Sequence, residues 1–195
     1  MRPLRQWASR PAAARLAGGF TTVELLVVIA IAAILATVGA PSFSTFLNNS
    51  KLSSTSSQLL NELTLARSEA IKRNARVLVC VRDAAGTNCG TGTNWAGGWL
   101  VCYDNETAST PGNGIADGQC DAAPSSGLNP NPISLQPALT NPVTVTGSAA
   151  VIRFNPNGSQ GASPGATAAT LVVGLSPAGA TRTLTVAVSG NVTKQ

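Results

Sequence analysis

GFTTVELLVVIAIAAILATVGAP, residues 19–41, is the stretch from which the rest of the chain can be read. Between Phe20 and Pro41 the only ionisable side chain is Glu24, and from Leu25 to Ala40 there is none. That is close to the roughly 20 apolar residues a helix needs to cross a bilayer core. Arg2, Arg5, Arg10 and Arg15 precede it, and the next basic residue is Lys51. The positive-inside rule therefore places residues 1–19 in the cytoplasm and everything after Pro41 outside. A cleaved secretory signal ending at Val38-Gly39-Ala40 fits less well. The apolar run exceeds the usual core of about 7–15 residues, Pro41 would obstruct the cut, and a carboxylate inside the run is costly enough to imply a purpose.

Downstream of Pro41, which kinks a helix by removing an N–H donor, the pattern becomes amphipathic. Leu52, Leu59, Leu63, Ala66 and Ala70 recur at helical spacing with polar residues between them. The run Ser53–Ser57 has low helix propensity and marks a flexible stretch. Glu69 and Arg73 form an i,i+4 pair of the favourable orientation. The helix is predicted to end near Asn74 to Arg76. Arg67, Lys72, Arg73, Arg76 and Arg82 make a modest basic cluster with no interleaved aromatic residues for base stacking, so it reads as a solvated face.

From Val77 the signal is β. Val77–Val81, Gly98–Tyr103, Val143–Val145, Val151–Phe154, Thr170–Val173 and Thr183–Val188 read as short strands, with Leu184, Val186 and Val188 on one face. Asn155-Pro156-Asn157-Gly158, Pro177-Ala178-Gly179 and Ser189-Gly190-Asn191 are turns. Short strands without intervening helices imply antiparallel sheet, and one long helix packed on it gives an α+β fold. Trp95 and Trp99 are expected in the core under the sheet. The segment from Asp104 to Pro137, rich in Gly, Pro, Asn, Ser and Asp, is long for a loop and is expected to be functional or mobile. Asp104, Asn105, Glu106, Asp117 and Asp121 carry oxygen atoms but lack EF-hand spacing, and turn chemistry accounts for them.

The chain of 195 residues fits one domain with an appendage. Its net charge of +5 comes largely from the first segment, so it does not argue for a nucleic-acid partner. There is no His, no phosphate-binding Gly-rich loop and only scattered carboxylates, so an enzyme is not expected. Cys80, Cys89, Cys102 and Cys120 all follow the apolar segment. An even count in an exported domain favours disulfides over a metal set, since no C-x-x-C occurs. Three connectivities are open; Cys80–Cys89 with Cys102–Cys120 is preferred because each closes a local loop. No metal and no cofactor is expected.

Gly19-Phe20-Thr21-Thr22-Val23-Glu24-Leu25-Leu26-Val27-Val28-Ile29-Ala30-Ile31 resembles the class III leader and N-methylation motif of type IV prepilins and type II secretion pseudopilins. Leu65 through Asn74, Val77-x-Val-Cys80, Cys89, Trp95-x-x-Gly98-Trp99-Leu100-Val101, Asp104 and Phe154-Asn155-x-x-Gly158 together resemble the GspH/FimT family of minor pseudopilins. The resemblance implies cleavage between Gly19 and Phe20 by a prepilin peptidase and N-methylation of Phe20. It implies assembly through Glu24, whose partner would be the Phe20 amine of a neighbouring subunit. The expected parts are a leader at 1–19, a transmembrane helix at 20–41, its amphipathic continuation at 42–76 and a periplasmic β-rich head at 77–195. The expected partners are other pilin or pseudopilin subunits, the peptidase and inner-membrane lipid, and the expected role is to initiate or cap a type IV pilus or a type II secretion pseudopilus. The alternative is a DNA-binding minor pilin for natural transformation. Some family members bind DNA through a C-terminal Gly-Arg-x-Arg, and the tail Gly190-Asn191-Val192-Thr193-Lys194-Gln195 lacks both arginines, so DNA is not the expected partner.

Overall fold

The computed structural model describes residues 19–104, 118–121, 132–161, 167–177 and 179–195; within its helix, the side chains of 38–42 are not described. The leader up to residue 18, the kink expected at Pro41 and most of the 104–137 segment lie outside what is described. The chain divides into two compact units, one ending at Phe43 and the other spanning Ser44–Gln195.

Helix α1 spans Thr22–Arg73. It begins where the Thr21 hydroxyl accepts a hydrogen bond from the Glu24 N–H at 3.2 Å, an N-cap that satisfies one orphan donor. It ends at Asn74, whose φ of 50° reverses the chain. There the Asn74 N–H donates to the Ile71 carbonyl and the Ala75 N–H to the Ala70 carbonyl, the double closure of a Schellman motif. The last helical residue, Arg73, is one position short of the range the sequence predicts.

In the second unit the helix buries Leu52, Leu59, Leu63, Ala66 and Ala70, the residues picked out by periodicity. Thr55 and Ser56 are buried on the same stripe. The expected loosening at Ser53–Ser57 is not seen: the helix runs through it. The buried Ser56 hydroxyl is satisfied by the Ser53 carbonyl at 2.9 Å, which removes the polar cost of placing it in the core.

The head contains two four-stranded antiparallel sheets rather than one. The first orders β3 (Ser134–Gln136), β2 (Trp99–Tyr103), β1 (Val77–Val81) and β5 (Val151–Phe154). The second orders β4 (Val143–Gly147), β6 (Ala169–Leu175), β7 (Thr181–Val186) and β8 (Val192–Lys194). Strand β1 is buried at all five positions because both of its faces are covered. Val77, Val79 and Val81 join the helix, Trp95, Trp99, Phe154, Leu171 and Leu184 in the main core. Leu78 and Cys80 point the other way, into a small second cluster with Leu100, Cys102, Cys89 and Cys120. Both tryptophans are fully buried, as expected, and each large side chain so buried contributes about 1.5–3 kcal/mol.

The two sheets meet where β4 leads into β5. Trp95 donates its indole N–H to the Ala149 carbonyl at 3.0 Å, and a Cβ on Gly147 would collide with that indole. Strand β7 ends at Val186, two residues before the sequence reading. A turn closed by the Gly190 N–H on the Ala187 carbonyl follows, so Val188 is exposed rather than aligned with Leu184 and Val186. Gly190, at φ 78°, sits against the Gly158 carbonyl, where no side chain fits.

Candidate assembly site

Among the described residues, two regions hold the side chains that the sequence singles out. The first is the start of α1. Thr21, Thr22, Val23 and Glu24 form an N-terminal box in which Thr21 caps the helix and Glu24 occupies its first turn. A carboxylate there is favoured by the helix dipole by about 0.3–1 kcal/mol. The capping role of Thr21 escaped the sequence reading, although a Thr followed three residues later by Glu is a recognised start signal. Phe20 is 81 % exposed. Gly19 has no heavy atom near the position a Cβ would take, so nothing among the described residues requires glycine there.

Beyond Glu24 the helix is apolar on every side. Leu25, Leu26, Val27, Val28, Ile29, Ile31, Ile34 and Leu35 are each more than half exposed. Among the described residues no helix is long and apolar enough to cross a membrane.

The second region is the head surface around the end of α1 and the cysteines. Glu69 accepts from the Tyr103 hydroxyl at 3.2 Å and lies 3.5 Å from Arg73 and 3.7 Å from Lys72, so the expected i,i+4 pair forms. Burial, and next the bond to Glu69, raise the Tyr103 phenol above its ordinary value. Of the basic cluster, Lys72 and Arg73 keep the solvated character expected of them, with side chains 70 % and 47 % exposed beside Glu69, whereas Arg67 is engaged with the head. Arg67 donates to the carbonyls of Gly158 and Ser189 at 3.1 and 3.2 Å, pinning two turns to the helix. Lys194, in the tail, donates to Ser57 Oγ at 3.1 Å.

The cysteines pair as preferred from the sequence: Cys80–Cys89 and Cys102–Cys120, each with Cα atoms 5.5 Å apart. Their loops are organised by two polar side chains. Asp83 Oδ1 accepts from the N–H groups of Gly86, Thr87 and Asn88 at 2.7, 2.9 and 3.2 Å. The Asn88 N–H above all, with those of Thr87 and Gly86 and the Arg82 charge, holds the Asp83 carboxyl below its ordinary value, against an opposing effect of burial. Asn88 Oδ1 in turn accepts from Cys89 N–H at 2.7 Å and Cys120 N–H at 2.8 Å, joining the two disulfide loops.

Of the oxygen-bearing residues in the 104–137 segment, Asp104 is fully buried and ion-paired with Arg153 at 2.8 Å. That pair was not visible in the sequence, because the partners are 49 residues apart. Asp121 is buried, and Asn105, Glu106 and Asp117 lie outside the described residues.

A helix packed on antiparallel sheets, preceded by an exposed apolar helical segment with a carboxylate at its head, has the architecture of a pilin-like protein. The chain belongs to the GspH family, described as Type II transport protein GspH, which it matches over residues 55–191. No curated protein matches the chain. Among solved structures it is similar to the type IV minor pilin FimU of Pseudomonas aeruginosa strain PAO1 in the P21 crystal form. The TM-score is 0.50 with 17 % identity, over 77 % of this chain and 92 % of that one. The same minor pilin in the P65 form gives 0.48 and 16 %, over 73 % and 91 %. At such identity the likeness is one of fold.

Proposed function

We propose that this chain is a minor pilin or pseudopilin that helps initiate or cap a type IV pilus or a type II secretion pseudopilus. The observation that carries this reading is the helix from Leu25 to Leu35, whose eight large aliphatic side chains are all more than half exposed. Burying eight such side chains is worth about 12–24 kcal/mol. An unpartnered carboxylate deep in lipid costs about 3 kcal/mol. Apolar burial therefore outweighs Glu24, and the helix enters the membrane whether or not the carboxylate is paired. The role of Glu24 is selection of a neighbour: it gains an opposite charge when a cation arrives with the next subunit.

In this reading a prepilin peptidase cuts between Gly19 and Phe20, which explains a glycine that packing does not require. The same enzyme methylates the new amine of Phe20, and that amine on one subunit pairs with Glu24 on the next. Residues 20–41 lie in the inner membrane and the head stands in the periplasm. The engagement of Lys194 with Ser57 and of Arg67 with turn carbonyls supports a filament building block over a DNA receptor.

The test is complementation of an in-frame deletion with the wild-type chain or Glu24→Ala, scored for surface filaments and for secreted hydrolases. The deletion should abolish one of the two, which also assigns the machine. Glu24→Ala should reach the membrane at the wild-type level yet restore less than about a tenth of the lost function, a factor that corresponds to about 1.4 kcal/mol. Full restoration by Glu24→Ala, or a deletion without effect on either process, would refute the proposal.

A further inference from the structure

In the sequence the four cysteines have spacings that match no metal-binding pattern. The fold removes that objection. Antiparallel pairing of β1 with β2 sets Leu78 opposite Cys102 and Cys80 opposite Leu100, so both cysteines lie on the same face, one diagonal step apart. The bridge between Arg82 and Cys89 brings in the third cysteine, and the segment 118–121 brings in the fourth. Cys89 Sγ and Cys120 Sγ, which belong to different disulfides, are 4.0 Å apart. All four sulfurs lie within 4.8 Å of one another and all four residues are buried.

Four thiolates bound to one tetrahedral ion with bonds of about 2.3 Å stand about 3.8 Å apart. The cluster is thus already close to the size of such a site. Its backbone is positioned by more than the S–S bonds: two strands carry Cys80 and Cys102, and the Asn88 carboxamide holds the N–H groups of Cys89 and Cys120 together. The surroundings, Leu78, Leu100 and Val151, suit a soft ion that sheds its water. A tetrathiolate site carries net negative charge, and Arg82, paired through its backbone with Cys89, has a buried Nε with no acceptor among the described residues.

We propose that in the reduced chain Cys80, Cys89, Cys102 and Cys120 form a tetrahedral site for one thiophilic divalent cation of the zinc class. The chemistry balances without further groups. A phosphine or dithiol reductant supplies two electrons per disulfide, and water or the dithiol supplies two protons, giving four thiols. The cation then displaces four protons and leaves a tetrathiolate of net charge −2. Disulfide and metal are alternative closures of the same two loops. The oxidised head cannot take the ion, and the metal-loaded head resists oxidation.

The experiment uses the full chain in detergent, reduced anaerobically with a phosphine, freed of reductant and titrated with Co(II), then Zn(II). One Co(II) per chain should bind with the visible bands of a tetrahedral tetrathiolate, and one Zn(II) should displace it. The zinc-loaded chain should keep the near-ultraviolet circular dichroism of the oxidised head, which reports buried Trp95, Trp99 and Tyr103. Cys120→Ala should weaken binding by about a hundredfold, at least matching the loss seen for supporting residues around metal sites. Absence of the tetrathiolate bands, equal affinity in Cys120→Ala, or binding only to a chain that has lost its near-ultraviolet signal would each overturn the proposal.

Discussion

Arg153→Met is expected to destabilise the head by about 3–5 kcal/mol, the range for removing one partner of a buried ion pair. Asp104 is completely shielded from solvent, and one of its oxygens receives both Nε and Nη2 of Arg153, at 3.1 and 2.8 Å. The Gly118 N–H approaches both carboxylate oxygens at 3.2–3.3 Å, so the pair also anchors the segment that carries Cys120. Methionine keeps the apolar stem but removes the guanidinium, so the buried Asp104 carboxylate loses the cation that offsets its charge. For a chain of this size the change should lower Tm by about 10 °C. Arg153→Met combined with Asp104→Leu should lose less than Arg153→Met alone, because no charge is then left behind. Thermal unfolding followed by near-ultraviolet circular dichroism reads both. A shift in Arg153→Met smaller than about 2 °C would mean that the pair is solvated and does not hold the loop.

Removing a disulfide is the next largest effect. Cys80→Ala with Cys89→Ala should cost about 2.5 kcal/mol and Cys102→Ala with Cys120→Ala about 3 kcal/mol, from the loop entropy each link removes from the unfolded chain. The loops span 9 and 18 residues, so the difference between the two pairs stays below about 1 kcal/mol. Alanine is the suitable replacement, because a serine hydroxyl among Leu78, Leu100 and Val151 would add a burial cost of its own. With two of the sulfurs in contact across the links, removing both should not equal the sum of the two single losses. Denaturant unfolding of the four chains in parallel gives these differences. Equal stability of all four would show that neither link constrains the unfolded state.

What could be read from the sequence is what short-range pattern encodes. The stripe from Leu52 to Ala70 announced its buried face by periodicity, and Val77–Val81 and Val151–Phe154 announced themselves as β-branched runs bounded by turn residues. The local disulfides followed because each closes a short loop. Strands β3 and β8 gave no such signal. Each is three residues long, and Ser134-Leu135-Gln136 is a strand only because β2 offers it an edge and Glu62 and Gln58 of the helix meet its side chains. The division of the head into two sheets was likewise hidden, since it depends on Trp95 and Gly147 meeting across the chain. At the start of α1, Glu24 is conspicuous as a charge in an apolar run, whereas the Thr21 cap rests on a hydroxyl that a turn could use equally well. The gathering of four sulfurs was the least legible feature, because strand register and two loops, not spacing, bring them together.

The central claim, a leader-cleaved subunit held in a filament by its apolar helix, is tested most directly by the intact mass of this chain in a sheared filament fraction from the native host. The account predicts that the chain is present beside other pilin-like subunits and begins at N-methylated Phe20. Its absence from that fraction, or a mass that places its start at Met1 or Pro41, would contradict it.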